Sequence, residues 1–277
     1  MIPQLKLHVV PASHGMVWLR QGIRTLMHRP MAFSALFACV VFGFVALIGV
    51  PIAGPLLWIA CLPIVSLGFM VATQQALQGA IPMPSVFVLP LRVTPGRTRS
   101  LLALCVMYLV AAVGIGLFCQ WMDEGKLTEL MVMYGKVQAK EATEAQLAEL
   151  LANPLVRNGV VWRLSLSCLL MLVFWFAPPL VHWGGHSAGK ALFFSVVAVW
   201  RNKLAFIVYI GGWMALFMVL GLIQSVGVAL FGMAAAVVIG PAAMLMLFTV
   251  IYTSLFFTFI DAFEVSMPNP PADAAQP

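Results

Sequence analysis

A chain of 277 residues that is 62% hydrophobic and only 9% charged lies outside the soluble globular class, where about a quarter of residues carry charge. Apolar runs of about 20 residues, each long enough to cross a hydrocarbon core of roughly 30 Å, recur along its whole length; a membrane β-barrel would show short alternating segments instead. The formal charge of +6 does not indicate nucleic-acid binding, because the basic residues flank apolar segments, where they orient a membrane protein and meet lipid headgroups. The expected fold class is all-α: a polytopic membrane helix bundle of about six transmembrane helices in three hairpins, with cytoplasmic interfacial amphipathic helices beside it.

Residues 1–30 form a basic N-terminal segment. Within HGMVWLRQGIRTLMHRP, a 100° step places Met16, Leu19, Ile23, Leu26 and Met27 on one face and Arg20, Arg24 and His28 in an i, i+4 row at the edge of the other. That pattern predicts a helix lying in the interface with its cations at phosphate level. The helix bundle follows over 31–265. Its first span covers 31–50, a tight turn runs from Pro51 to Pro55, and the second span returns over 55–74. A third covers 101–121. The external loop, 122–158, has two expected short helices: one with Leu127, Leu130, Met131 and Tyr134 on a face, the other opened by the capping pair Thr143 and Gln146 and stopped at Asn153-Pro154.

The fourth span, 160–183, contains Pro178-Pro179, which should kink or end it because proline lacks the N–H and clashes with the preceding turn. An interfacial helix is expected over 187–202 and a fifth span over 204–223. The apolar stretch 226–263 is too long for one ordinary helix. Gly240-Pro241 is expected to divide it into a short re-entrant or kinked piece and a last span from about 241 to 260. Residues 266–277 are expected to be a disordered tail.

Charge orients the bundle. Segments 1–30, 75–100 and 184–203 contain Lys and Arg without acid, whereas the loop between spans three and four holds six acids. With six spans, the basic segments share one side, and the positive-inside rule makes that side, with both termini, cytoplasmic. Each basic segment leads into a hairpin whose second span carries proline: Pro63, then Pro178 with Pro179, then Pro241. These prolines, with Gly184, Gly185 and Gly240, are the expected hinges.

The stretch GGHSAGKA, 184–191, shares the Gly-x-x-x-x-Gly-Lys frame of a phosphate-binding loop. Such a loop needs a Ser or Thr after the lysine and a preceding buried strand. Here Ala191 follows Lys190 and a membrane helix precedes the loop, so no nucleotide is expected. Ser187 instead suits an N-cap. His182 and His186 are spaced i, i+4, but the intervening Gly-Gly argues against a chelating helix, and no metal is expected. The five cysteines form no CxxC pair and read as small buried hydrophobes. Gly211 with Ala215, and Gly232, Ala236 and Gly240, have the small-xxx-small spacing of close helix packing. No Asp, Glu, Lys or Arg falls at the middle of any span, which weakens ion-coupled transport and catalysis.

Taken together, VVPASHGMVWLRQGIRTLMHRPMAF and FWFAPPLVHWGGHSAGKALFFSVVAVWRNKLAF resemble an uncharacterised family of proteobacterial multi-pass inner-membrane proteins. The resemblance implies an inner-membrane location and supplies no catalytic residues. The functional expectation is a non-enzymatic integral membrane protein without cofactor that binds membrane lipids, a membrane-protein partner or a second copy of itself. Arg20, Arg24, Arg29, Lys190 and Arg201 are the expected headgroup contacts. The alternative is a transporter or channel for a neutral or hydrophobic solute.

Overall fold

The computed structural model describes residues 4–266 apart from positions 140 and 142. Backbone N–H and C=O groups in a bilayer must be satisfied within the protein, and the long apolar stretches are accordingly helical. In chain order the helices are α1 (His14–His28), α2 (Pro30–Ile48), α3 (Ala53–Leu77), α4 (Pro95–Met122), α5 (Lys126–Gln138), α6 (Glu144–Leu151), α7 (Pro154–Phe174), α8 (Ala177–His182), α9 (Ala188–Arg201), α10 (Lys203–Phe231) and α11 (Met233–Ala262). Six stretches are long and apolar enough to span: α2, α3, α4, α7 with α8, α10, and α11 from Gly240 onward. The all-α bundle of three hairpins is the fold.

Prolines open α2, α4 and α7, where the missing N–H has no helical partner to lose. The Thr143–Gln146 capping box forms at α6. Asn153 caps α7 by accepting from the Leu155 N–H at 2.9 Å, so Asn153-Pro154 starts a helix as well as following one. In α5 only Leu127 of the expected face is buried; Met131 and Tyr134 are exposed.

The hairpins share an inside and an outside. In α3, α7–α8 and α11, half or slightly more of the most apolar stretch is buried (50%, 50% and 56%), against 11%, 17% and 17% in α2, α4 and α10. The second, proline-bearing helix of each hairpin is therefore the inner one. Inside the bundle, neighbouring chains re-satisfy groups that a proline or a break frees. In the fourth span the helix breaks at Trp175-Phe176, and Pro178-Pro179 open α8 rather than close α7. At that break the Phe176 N–H donates to Ser195 Oγ of α9 at 2.9 Å.

Three features depart from expectation. The fifth helix continues to Phe231, and the chain turns at Gly232 with φ 71° and ψ −169°. Only glycine enters that region without strain, so the turn falls here and not at Gly240-Pro241. Pro241 lies inside α11, and the stretch 226–263 is the end of one helix and the whole of the next, with no re-entrant piece. Second, β1 (Gln4–Leu7) and β2 (Phe263–Ser266) form an antiparallel pair, with Gln4 opposite Ser266 and Leu7 opposite Phe263. The expected tail thus begins with a strand residue, Ser266; 267–277 lie outside the described residues. Third, α1 buries Gly15, Trp18, Leu19, Gly22, Thr25 and Leu26 against α10 and α11, leaving Met16, Ile23 and Met27 exposed. Of the predicted apolar face, Leu19 and Leu26 are thus taken into the bundle, where glycines let α1 approach closely.

A Cβ on Gly22 would sit 2.7 Å from the Ser254 Cβ, and one on Gly15 would overlap the Ala205 carbonyl oxygen. By contrast, Gly211 has nothing within 4 Å of such a Cβ, and Ala215 is exposed. Among the described residues, that small-residue pair makes no close helix contact. Gly22→Val should therefore destabilise the protein by about 1–3 kcal/mol, while Gly211→Val should change little; thermal unfolding midpoints in detergent would compare them.

Candidate functional site

Thr249, Thr253, Ser254 and Thr258 on α11 are fully buried and lead to Asp261 at its end. Each hydroxyl donates to a carbonyl of its own helix: Thr249 to Leu245, Thr253 to Val250, Ser254 to Ile251 and Thr258 to Leu255, at 2.7–3.0 Å. This self-pairing leaves oxygen lone pairs free for neighbours. Ser254 Oγ then accepts from the Tyr209 hydroxyl at 2.6 Å, and Thr258 Oγ1 from Trp175 Nε1 at 3.0 Å. Asp261 Oδ2 accepts from Trp18 Nε1 at 2.7 Å and pairs with His14 Nδ1 at 2.6 Å. Trp18, fully buried, stands edge-on to Phe206 and Tyr209. The result is a polar and aromatic clamp fastening α1 to the ends of α10 and α11.

Asn202, in the joint between α9 and α10, completes the clamp. Its Oδ1 accepts from the Val10 N–H at 2.8 Å, and its Nδ2 donates to the His8 carbonyl at 3.1 Å and to Ala198 at 3.0 Å. The His8 N–H in turn donates to the Ala262 carbonyl at 2.8 Å. One buried amide thus matches the backbone of residues 8–10 as a neighbouring strand would.

The sequence-predicted cations do not converge on one point. Arg20 and Arg24 are exposed on α1, and Lys190 and Arg201 are exposed at opposite ends of α9. None has a carboxylate partner among the described residues. Arg29 differs: its guanidinium donates to the Gly79 carbonyl at 2.7 Å, tying the α1–α2 joint to the end of α3. There it borders a crevice of about 340 Å³ with Thr25, His28, Ala76 and Leu77.

Among the expected hinges, Pro63, Pro178, Pro179, Gly184 and Gly240 are buried, while Gly185 and Pro241 are exposed. The Gly184-Gly185 turn, with Gly185 at φ 64°, separates His182 from His186. His186 packs on Phe194, and partial burial, then Lys190, hold it below its usual pKa. Ser187 occupies the N-cap position of α9 without a side-chain capping bond.

A second cavity, about 360 Å³, lies between α3, α4, α7 and α11, beside Pro63, Ser66, Tyr108, Met171, Trp175 and Tyr252. No charged side chain lines it. Ser66 donates to the Pro63 carbonyl at 2.9 Å.

No protein-family model matches the chain, and no solved structure matches it either. A probable inner membrane protein of Burkholderia thailandensis is 31% identical over 273 residues, 96% of this chain and 97% of that protein. The chain belongs to that family. With its six spans, it is a multi-pass inner-membrane protein, as the resemblance of the two quoted stretches implies.

In this member of the inner-membrane family, His14, Trp18, Asn202 and Asp261 build the clamp although none is a candidate site residue on sequence grounds. A signal was present in Thr249-x-x-x-Thr253-Ser254-x-x-x-Thr258-x-x-Asp261, a helical stripe of small polar residues in an apolar span. Replacing Asn202 by Leu would strand the buried Val10 N–H, at a cost of about 1–3 kcal/mol. The expected outcome is faster hydrogen exchange at residues 8–10 with the spans still protected.

Proposed function

We propose that this inner-membrane protein is a non-enzymatic lipid-binding protein that sets the exposed faces of α1 and α9 in the headgroup plane. The observation that carries this reading is the composition of those faces. On α1, Met16, Val17, Ile23 and Met27 are exposed among Arg20 and Arg24; on α9, Phe193, Val196 and Trp200 are exposed beside Lys190 and Arg201. Apolar side chains interleaved with cations suit the boundary between acyl chains and phosphates. The Lys203 ammonium lies 4.7 Å from the centroid of the Trp200 ring, a pairing favoured where tryptophan meets headgroups. The acid–base pair His14–Asp261 fixes α1 together with Trp18, which supports a non-catalytic role.

In this reading the basic side is cytoplasmic. The β1–β2 pairing, which brings both ends of the described chain together, supports an even number of spans with both ends on one side, which the positive-inside rule makes the cytoplasm. The largely unburied α2, α4 and α10 are the surfaces for surrounding lipid, a membrane-protein partner or a second copy. A second reading, a carrier for a neutral or hydrophobic solute, draws on the cavity beside Pro63 and on the proline in each inner helix.

Each cation near an anionic surface contributes about 1 kcal/mol. Arg20→Glu combined with Arg24→Glu should therefore lower retention of phosphatidylglycerol or cardiolipin, read by native mass spectrometry, by about tenfold or more. Unchanged retention by the folded variant would remove the headgroup role. For orientation, Gly135→Cys in a variant without the native cysteines should react with an impermeant maleimide from the periplasmic side. Arg97→Cys should react only after permeabilisation.

A further inference from the structure

We propose that the cavity between α3, α4, α7 and α11 binds one uncharged, lipid-soluble molecule built on a planar ring with oxygen acceptors. The site is independent of the headgroup contacts and requires no transport. Its depth comes first. Pro63 and Ser66 of α3, Tyr108 of α4 and Tyr252 of α11 all lie well inside their spans, so a ligand enters from the hydrocarbon. Met171, 47% exposed on α7, marks the side from which lipid reaches it.

The wall chemistry selects the occupant. Its volume of about 360 Å³ falls within the usual range of small-molecule pockets, roughly 300–1,000 Å³. Without a charged group in the lining, an ion would lose its hydration with nothing to replace it. Tyr108, Phe174, Trp175, Phe248 and Tyr252 give the walls an aromatic character, with Tyr108 and Phe174 edge to face at 5.0 Å. Such walls favour a flat ring over a flexible chain.

The hydroxyls decide the polar end. Ser66 already donates to Pro63. Neither the Tyr108 nor the Tyr252 hydroxyl has a hydrogen-bond partner among the described residues, whereas Tyr209, outside the cavity, bonds Ser254. A phenol inside a membrane protein loses about 1–3 kcal/mol if left unpaired. Its complement is an acceptor such as a ring carbonyl or alkoxy oxygen. A bilayer acyl chain fills the same space and leaves both phenols unmet.

The test uses the full chain in lipid nanodiscs and two probes: a benzoquinone with a saturated ten-carbon tail, and a cyclohexane with the same tail. Bound probe is measured by equilibrium partition against empty nanodiscs. The expected result is saturable binding of one quinone per chain, weakened about five- to tenfold by Tyr108→Phe and by Tyr252→Phe. The cyclohexane should bind more weakly and respond to neither substitution. Ser66→Leu, which fills the cavity, should abolish saturable uptake, while Arg20→Glu with Arg24→Glu leaves it intact; that contrast separates this site from the headgroup reading. Uptake equal to that of empty nanodiscs would overturn the proposal. So would equal affinity for both probes, which assigns the cavity to acyl chains, or full quinone binding by folded Tyr108→Phe and Tyr252→Phe proteins.

Discussion

Hydrocarbon supplies no hydrogen bonds, and α11 meets that constraint in a way on which the rest of the structure depends. Its hydroxyls satisfy their own donors against carbonyls one turn back, then offer lone pairs outward. Tyr209 of α10, Trp175 at the end of α7, and Trp18 with His14 of α1 come from three different parts of the chain to use the oxygens of this one helix. Dispersion alone discriminates poorly between apolar helix faces in lipid. Bonds with direction do discriminate, and here they select which face of each neighbour turns inward.

The same helix shows why the inner and outer members of the hairpins differ. A proline or a helix break is tolerable where other protein groups approach, as Ser195 does at Phe176. Facing lipid, the freed groups would have no partner. A proline within a span therefore marks the more buried helix of each hairpin in this protein, although Pro241 itself is exposed while Pro63, Pro178 and Pro179 are buried.

Much of the fold was legible, because span length and apolar composition follow from the thickness of the bilayer. The six spans, both helices of the loop between spans three and four, the capping box at Thr143 and the start of α9 after Ser187 are present as the residues imply. Tertiary pairing was less legible. The docking of α1 on the bundle was not legible, because it depends on Gly15 and Gly22, whose missing side chains admit the Ala205 carbonyl and Ser254. The turn at Gly232 competed with a more conspicuous Gly-Pro pair eight residues on. The β pairing of the two ends involves four residues from each, too short a pattern to distinguish from loop. Of the site residues, the exposed cations were readable from local periodicity. The cavity was not, since its walls come from four helices far apart in sequence.

The pairing of β1 with β2 also sets a timetable. Translation delivers Trp18 and the first strand long before Asp261 and the last strand exist. Until α10 and α11 have inserted, α1 has no surface on which to bury Trp18, and residues 8–10 have no Asn202 to receive them. The newborn chain must carry an amphipathic, basic segment through most of its synthesis, with the lipid surface as the nearest available shelter. The two ends can close on each other only after α11 is made, and a chain cut short before Asp261 has no partner for Trp18 or for the first strand.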